Sequence, residues 1–297
     1  MGKSPGNLKA RKRADAAVSN LLLLTAFISV VAVLLISFFI IAKALPFFTE
    51  VPLREFIGST VWKPSQDPPS FGINSFVAAS FFVTILALAF STPIALACAI
   101  YLSEFAKGKS AEILRRSIEL LAGIPSIIFG LVGIALVVPF VRSVFGGNGY
   151  SILSASIILA IMILPTIINI SEVSIRAVSV ELRENSTALG ATRWQTISRV
   201  VLPAAKSGII TSIVLGIGRA VGETTAVLLV GGNAAVFPTS VTSMGRTLTM
   251  NIITDMSYAE GTHMSSLFAT AVLLFFFILL LNALIFAITR KPQKRDG

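Results

Sequence analysis

Residues 75–102 read SFVAASFFVTILALAFSTPIALACAIYL, 28 positions without one Asp, Glu, Lys or Arg. A helix half-immersed in water needs a polar face recurring every third or fourth residue. This run has none, and it exceeds the ~20 residues that cross a bilayer. Five further stretches are apolar and long enough to do the same, 18–42, 120–141, 152–171, 207–232 and 265–289, and all but 207–232 are free of these charges. Lipid satisfies no backbone N–H or C=O, so each run is expected as a helix. The period-2 alternation of a membrane barrel is missing. The expected fold class is therefore all-α integral membrane, with six transmembrane helices. Composition agrees: 55% of the 297 residues are hydrophobic and 13% charged, with a mean hydropathy of +0.87. Soluble domains carry about 25% charged residues. A soluble globular protein, a disordered chain and a coiled coil are excluded.

Charge outside the runs orients them. The net charge is +10. With the N-terminus inside, 18 of the 24 Lys and Arg fall on inner segments, five on outer segments, and Arg219 inside a span. Such a bias places both termini in the cytoplasm. It also explains the basic balance through membrane topology, so nucleic-acid binding loses its main support, and a basic inner face suits anionic lipid. The organisation read from this is a basic cytoplasmic N-terminus over 1–17, a first span over 18–42 and an outer loop over 43–74. A transmembrane core over 75–289 and a basic cytoplasmic tail over 290–297 follow. The first run is too long for the apolar core of a cleaved signal and is read as a retained helix. Cys98, the one cysteine, precludes an internal disulfide and lies in an apolar run as a core thiol. His263, the one histidine, has no metal-ligating cluster around it in sequence and reads as structural or solvated. The long outer segment 233–264 fits either a docking surface or a plain connector.

The inner segment 173–206 contains Glu184-Asn-Ser-Thr-Ala-Leu-Gly190, nine residues, then Val200-Val-Leu-Pro203. Two short helices with a break are expected. Gly190 can end the first in a left-handed conformation. Thr192 and Gln195 make a capping box for the second. Trp194, Ile197 and Val201 recur at helical spacing as one apolar stripe, and Arg183 and Arg193 flank the break. A short amphipathic helix here suits a lipid surface or a groove on a partner protein. Nothing in the chain is equipped to hydrolyse ATP. Gly108-Lys109-Ser110 ends like a P-loop, but Ser103 stands where its first glycine belongs. The chain is read as a non-catalytic membrane subunit powered by another chain.

The fifth run holds two charges near its middle, Arg219 and Glu223. A charge at the bilayer centre costs roughly 2.5–3.5 kcal/mol on insertion scales. On a continuous helix the i, i+4 spacing puts both on one face, within pairing reach. Gly218 and Gly222 form a G-x-x-x-G expected to pack a neighbouring helix closely. Two readings stand for the pair. It fixes helix packing as a structural ion pair. Alternatively, Arg219 attracts a crossing oxyanion through its planar fork, while Glu223 holds it when the site is empty and Thr224 and Thr225 offer hydroxyls. Pro93, Pro125 and Pro165 lie in or near spans two to four and read as hinges or static bends.

The loop pattern resembles the E-A-A-x3-G-x9-I-x-L-P signature of permease subunits of bacterial ABC importers. Glu184, Gly190, Leu202 and Pro203 match, whereas Asn185, Ser186 and Val200 replace two Ala and an Ile. The segment Gly218-Arg-Ala-Val-Gly-Glu-Thr224 is similar to the fifth-span signature of phosphate-specific ABC permeases. So is Glu119-Leu-Leu-Ala-Gly-Ile-Pro-Ser126 followed by Phe129-Gly130, and Trp62-Lys-Pro with Phe71-Gly72 resembles the C-type (PstC) subunit. The resemblance implies the type I ABC importer permease fold. It implies import of inorganic phosphate with a second permease (PstA-type), an ATPase dimer (PstB-type) and an external phosphate-binding protein (PstS-type). It implies that Glu184, Ala188, Leu189, Gly190 and Arg193 contact the ATPase through a coupling helix, and that Arg219 and Glu223 flank the phosphate route. ATP and Mg would be bound by the ATPase, leaving this chain without a cofactor. The membrane implied is the bacterial or archaeal cell (inner) membrane. Another oxyanion, molybdate or sulfate, is the alternative cargo; an ATPase-independent channel or secondary transporter is the alternative class.

Overall fold

The computed structural model describes residues 5–289, with side chains over 15–287. The tail 290–297 and the side chains of the basic N-terminal residues lie outside the described residues. Helix α1, Pro5–Ala44, runs alongside the last helix, where Phe39 meets Phe268 edge to face at 5.8 Å. Its apolar window has no buried residue, as expected of a helix whose solvent is lipid. Two short helices follow, α2 (Phe47–Glu50) and α3 (Leu53–Gly58), then a hairpin of β1 (Trp62–Lys63) and β2 (Ser70–Phe71). Together they fold the first outer loop into a nest of aromatic rings, with Phe47, Phe56, Phe71 and Phe76 around Trp62.

Helix α4, Asn74–Ile100, carries Pro93 without interruption and finishes as a π-helical turn, Tyr101–Phe105. Amphipathic α5, Gly108–Gly123, comes next. The third span then starts at Ser126 rather than at residue 120. Ile124 is extended and Pro125 forbids helix before it, so residues 120–123 belong to α5. The span itself is α6 (Ser126–Val132), a π-helical turn (Gly133–Val137) and α7 (Val138–Phe145). Helix α8, Ile152–Arg176, runs through Pro165 and extends five residues past residue 171. It is the centre of the molecule: 72% of its apolar window is buried, against 11% for the last helix.

The inner loop forms α9 (Val180–Ala188), α10 (Arg193–Thr196), a π-helical turn (Ile197–Val201) and α11 (Leu202–Ala204). The fifth run divides into α12 (Lys206–Gly222) and α13 (Thr225–Val230) instead of forming one helix. Outer helix α14, Leu248–Asp255, precedes the final span α15, Gly261–Thr289. Among the described residues five helices are long and apolar enough to cross a membrane, and six if Arg193–Ala204 and Lys206–Gly222, bent by 68° at their junction, count as one span.

Within this chain Gly218 and Gly222 make no close helix contact: among the described residues nothing lies within 4 Å of a Cβ placed at either. The close face of α12 is another row at the same spacing, Gly208, Ser212, Gly216 and Ala220. A Cβ at Gly208 would meet Ser174 Oγ at 2.1 Å, and one at Gly216 would meet Ile167 at 3.0 Å. Ser212 Oγ hydrogen-bonds Ser171 Oγ at 2.8 Å. Small residues let two backbones approach, but which small-residue row faces α8 is set by where the chain carries α12.

Candidate functional site

Helix α12 stops at Gly222, and Glu223 is extended (φ −71°, ψ 133°). The chain leaves the helix there for α13, whose first turn the Glu223 side chain caps, and the expected ion pair does not form. Arg219 Nη1 instead donates to Thr166 Oγ1 on α8 at 3.1 Å, one residue beyond Pro165. Glu223 turns the other way. Its Oε1 accepts the Ala226 N–H at 3.1 Å and caps the first turn of α13, while its carbonyl accepts the Thr249 hydroxyl from α14 at 2.9 Å. Thr224 donates to the Gly222 carbonyl at 3.3 Å, and Thr225 opens α13. Arg219, Glu223, Thr224 and Thr225 thus gather at one helix break, all half-buried. Irregular backbone at membrane depth is tolerated where protein or a cavity covers it. A guanidinium that donates to one hydroxyl and faces no carboxylate retains donors for an oxyanion. Thr166 and Thr249 carry no sequence signal of their own, because their partners lie 53 and 26 positions away.

At the inner loop, Gly190 takes φ +82° and its N–H bonds the Thr187 carbonyl at 2.9 Å, ending α9. The capping box forms: the Thr192 N–H reaches Gln195 Oε1 at 2.9 Å, and the Gln195 N–H reaches Thr192 Oγ1 at 3.3 Å. The apolar stripe is split rather than continuous. Ile197 and Val201 are buried against the body, whereas Trp194 projects from it, 61% exposed. Glu184, Ala188, Leu189 and Gly190 are all exposed, and Leu189 is 90% so. An apolar side chain this exposed on a polar loop suits a partner's groove. Arg193 is exposed too, but its guanidinium folds back onto the Glu104 carbonyl and the Phe105 ring.

A third cluster, around Asp255, was not visible in the sequence. Asp255 accepts hydrogen bonds from Trp62 Nε1 (2.9 Å) and the Tyr258 hydroxyl (2.6 Å), pairs with Arg246 (3.0 Å), and meets His263 Nε2 at 3.2 Å. One carboxylate thereby joins the first outer hairpin, the loop before α14, and the start of α15. His263 is structural, as one of the two readings had it. Burial pushes the Asp255 carboxyl up; hydrogen bonds from Tyr258 and Trp62, the Arg246 charge and the His263 bond outweigh burial and hold it below the ordinary value. Burial, then the adjoining carboxylate, pushes the Tyr258 hydroxyl up. A lowered folded pKa stabilises fully above the unfolded aspartate value of 3.8 and is lost as pH falls through the folded one. Thermal melts in detergent are expected to hold from neutral pH to about 5 and fall below about 4. Asp255→Asn is expected to melt lower at neutral pH and to lose part of that acid response; an unaltered acid profile would remove Asp255 from the account.

The family described as binding-protein-dependent transport system inner membrane component matches residues 91–294. A probable ABC transporter permease of Bacillus subtilis, YqgH, is 39% identical over 268 residues, 87% of each chain. The phosphate transport system permease PstC of Pasteurella multocida is 31% identical over 266 residues, 82% of this chain and 81% of that one. Among solved structures, a chain of the MetNI methionine ABC transporter superposes with a TM-score of 0.56 at 20% identity, over 73% of this chain and 98% of that one. That likeness carries the fold: membrane-integral and of the type I ABC importer permease class, mostly helical rather than the all-α expected, because the first outer loop holds a two-stranded hairpin. The chain belongs to the binding-protein-dependent transport system inner membrane component family, as an ABC permease of the PstC type.

Proposed function

We propose that this chain is the permease subunit of an ATP-driven inorganic phosphate importer. The observation that carries the reading is Arg219, a half-buried guanidinium in a membrane-spanning helix, bonded to a neutral hydroxyl rather than a carboxylate. A relative named for phosphate transport, similar over four-fifths of the chain, supports the cargo. Phosphate would accept donors from Arg219, with Thr224 and Thr225 beside it at the break. Because Glu223 does not occupy Arg219, the site stays open to the anion instead of requiring an exchange. The loop carrying Glu184, Ala188, Leu189 and Gly190 would dock an ATPase dimer that holds the ATP and Mg. A second, unlike permease would complete the pathway, and an external phosphate-binding protein would deliver the anion. The charge bias supports a cytoplasmic position for that loop and both termini, in the membrane of a bacterial or archaeal cell. Alternating access then opens the shared pathway outward when ATP closes the ATPase dimer, and inward after its release.

Vesicles holding the whole complex test this. ATP-dependent phosphate uptake is expected, resistant to excess sulfate or molybdate. Competition by either anion at equal concentration would reassign the cargo, and uptake without the ATPase would reassign the class.

A further inference from the structure

The inner end of the second span is the π-helical turn Tyr101–Phe105, after which Ala106 is extended. The last carbonyls of a helix lack partners within it. Here arginines from later segments supply them. Arg176 donates to the Leu102 carbonyl at 2.8 Å. Arg193, at the start of α10, donates to the Glu104 carbonyl and lays its guanidinium 4.4 Å from the Phe105 ring centroid. Arg183, on α9, pairs with the Glu104 carboxylate, and its second nitrogen donates to the Ile175 carbonyl at 2.7 Å. Cations suit this end of a helix, and the Glu104 side chain is 10% exposed, so the pair is poorly screened.

Helix α9 has no buried residue. Apolar packing therefore does not hold it to the membrane body; polar contacts do. Arg183 on α9 and Arg193 on α10, either side of the Gly190 break, converge on Glu104, and the Ser186–Thr196 hydroxyl bond of 2.9 Å ties α9 only to the adjoining helix. From this we propose that Glu104 is the positioning residue through which displacement of the inner loop is passed to the second span. The proposal rests on the reading that the loop docks an ATPase. Without the link, α9 would move with its partner while the span stayed behind. Glu172 provides a matched comparison. Its side chain is 9% exposed and holds Arg115 at 2.9 Å and Arg176 at 3.0 Å, but none of these residues lies on α9 or α10.

The test measures phosphate uptake and ATP hydrolysis in the same vesicles, with ATPase recovery and thermal stability of the complex recorded. Glu104→Gln keeps an acceptor oxygen but removes the charge that Arg183 pairs with; it is expected to retain the ATPase and to hydrolyse ATP, but to import about tenfold less phosphate per ATP, the loss expected when a hydrogen bond between charged groups loses one charge. Arg193→Ala, which leaves the ion pair, is expected to show a smaller fall in that ratio. Arg183→Lys, which keeps the charge, is expected to retain most of it. Glu172→Gln is expected to lower thermal stability and leave the ratio unchanged. An unchanged ratio in both Glu104→Gln and Arg193→Ala overturns the proposal, and so does an equal fall in Glu172→Gln. A wild-type complex that imports a different oxyanion changes the cargo alone; the ratio is then read with that anion.

Discussion

Arg219→Ala is expected to cut phosphate uptake by about a hundredfold or more while the complex still assembles. A hydrogen bond to a charged group is worth about 1.5–3 kcal/mol, and a guanidinium makes two to one oxyanion. Each 1.4 kcal/mol is about tenfold. The structural loss is far smaller, because among the described residues Arg219 donates to Thr166 alone, a bond worth about 1 kcal/mol. Arg219→Lys keeps the charge but not the fork and should fall between. Glu223→Gln should be mild, since its Oε1 accepts from the Ala226 N–H and an amide oxygen can do the same. A double-mutant cycle between Arg219 and Glu223 should give a coupling near zero, whereas one between Arg219 and Thr166 should not. Uptake is read by tracer in vesicles and assembly by co-purification. Wild-type uptake in Arg219→Ala would take this residue out of the pathway.

Gly190→Pro is expected to abolish ATPase co-purification while the permease still inserts in the membrane. Gly190 sits at φ +82°, and proline is confined near −65°. The substitution also deletes the N–H that bonds the Thr187 carbonyl at 2.9 Å. The end of α9 must then rearrange, moving Leu189, Ala188 and Glu184 together. Insertion of the spans does not depend on this turn, because α9 has no buried residue and adds nothing to their core. Gly190→Ala meets only the left-handed backbone penalty of about 1–2 kcal/mol and should weaken association without abolishing it. Leu189→Asp, which leaves the turn intact, should weaken association by placing a charge where a 90% exposed apolar side chain awaits a cover. Normal ATPase recovery with both Gly190→Pro and Leu189→Asp would move the docking site elsewhere.

Much of this architecture is local chemistry and is legible residue by residue. An uncharged run of 28 residues has one stable form in lipid. The left-handed Gly190 and the Thr192–Gln195 box need partners no more than four positions away, so spacing alone placed both. The errors share a cause as well. Pairing Arg219 with Glu223 assumed a helix continuing through Gly222, and assigning the close contact within this chain to Gly218 and Gly222 assumed which side of α12 meets a neighbour.

Composition, hydropathy and backbone propensity therefore specify the class of the protein, its crossings and the turn of its inner loop, because those energies are settled within a few residues. They do not specify that α12 turns Gly208, Ser212 and Gly216 to α8, that Arg219 meets Thr166, that Asp255 gathers Trp62, Arg246 and His263, or that Glu104 receives two arginines from the loop. Each of those contacts joins segments brought side by side by the packing of whole helices. Several partners stand between 53 and 193 positions apart, and no short-range preference encodes which will meet.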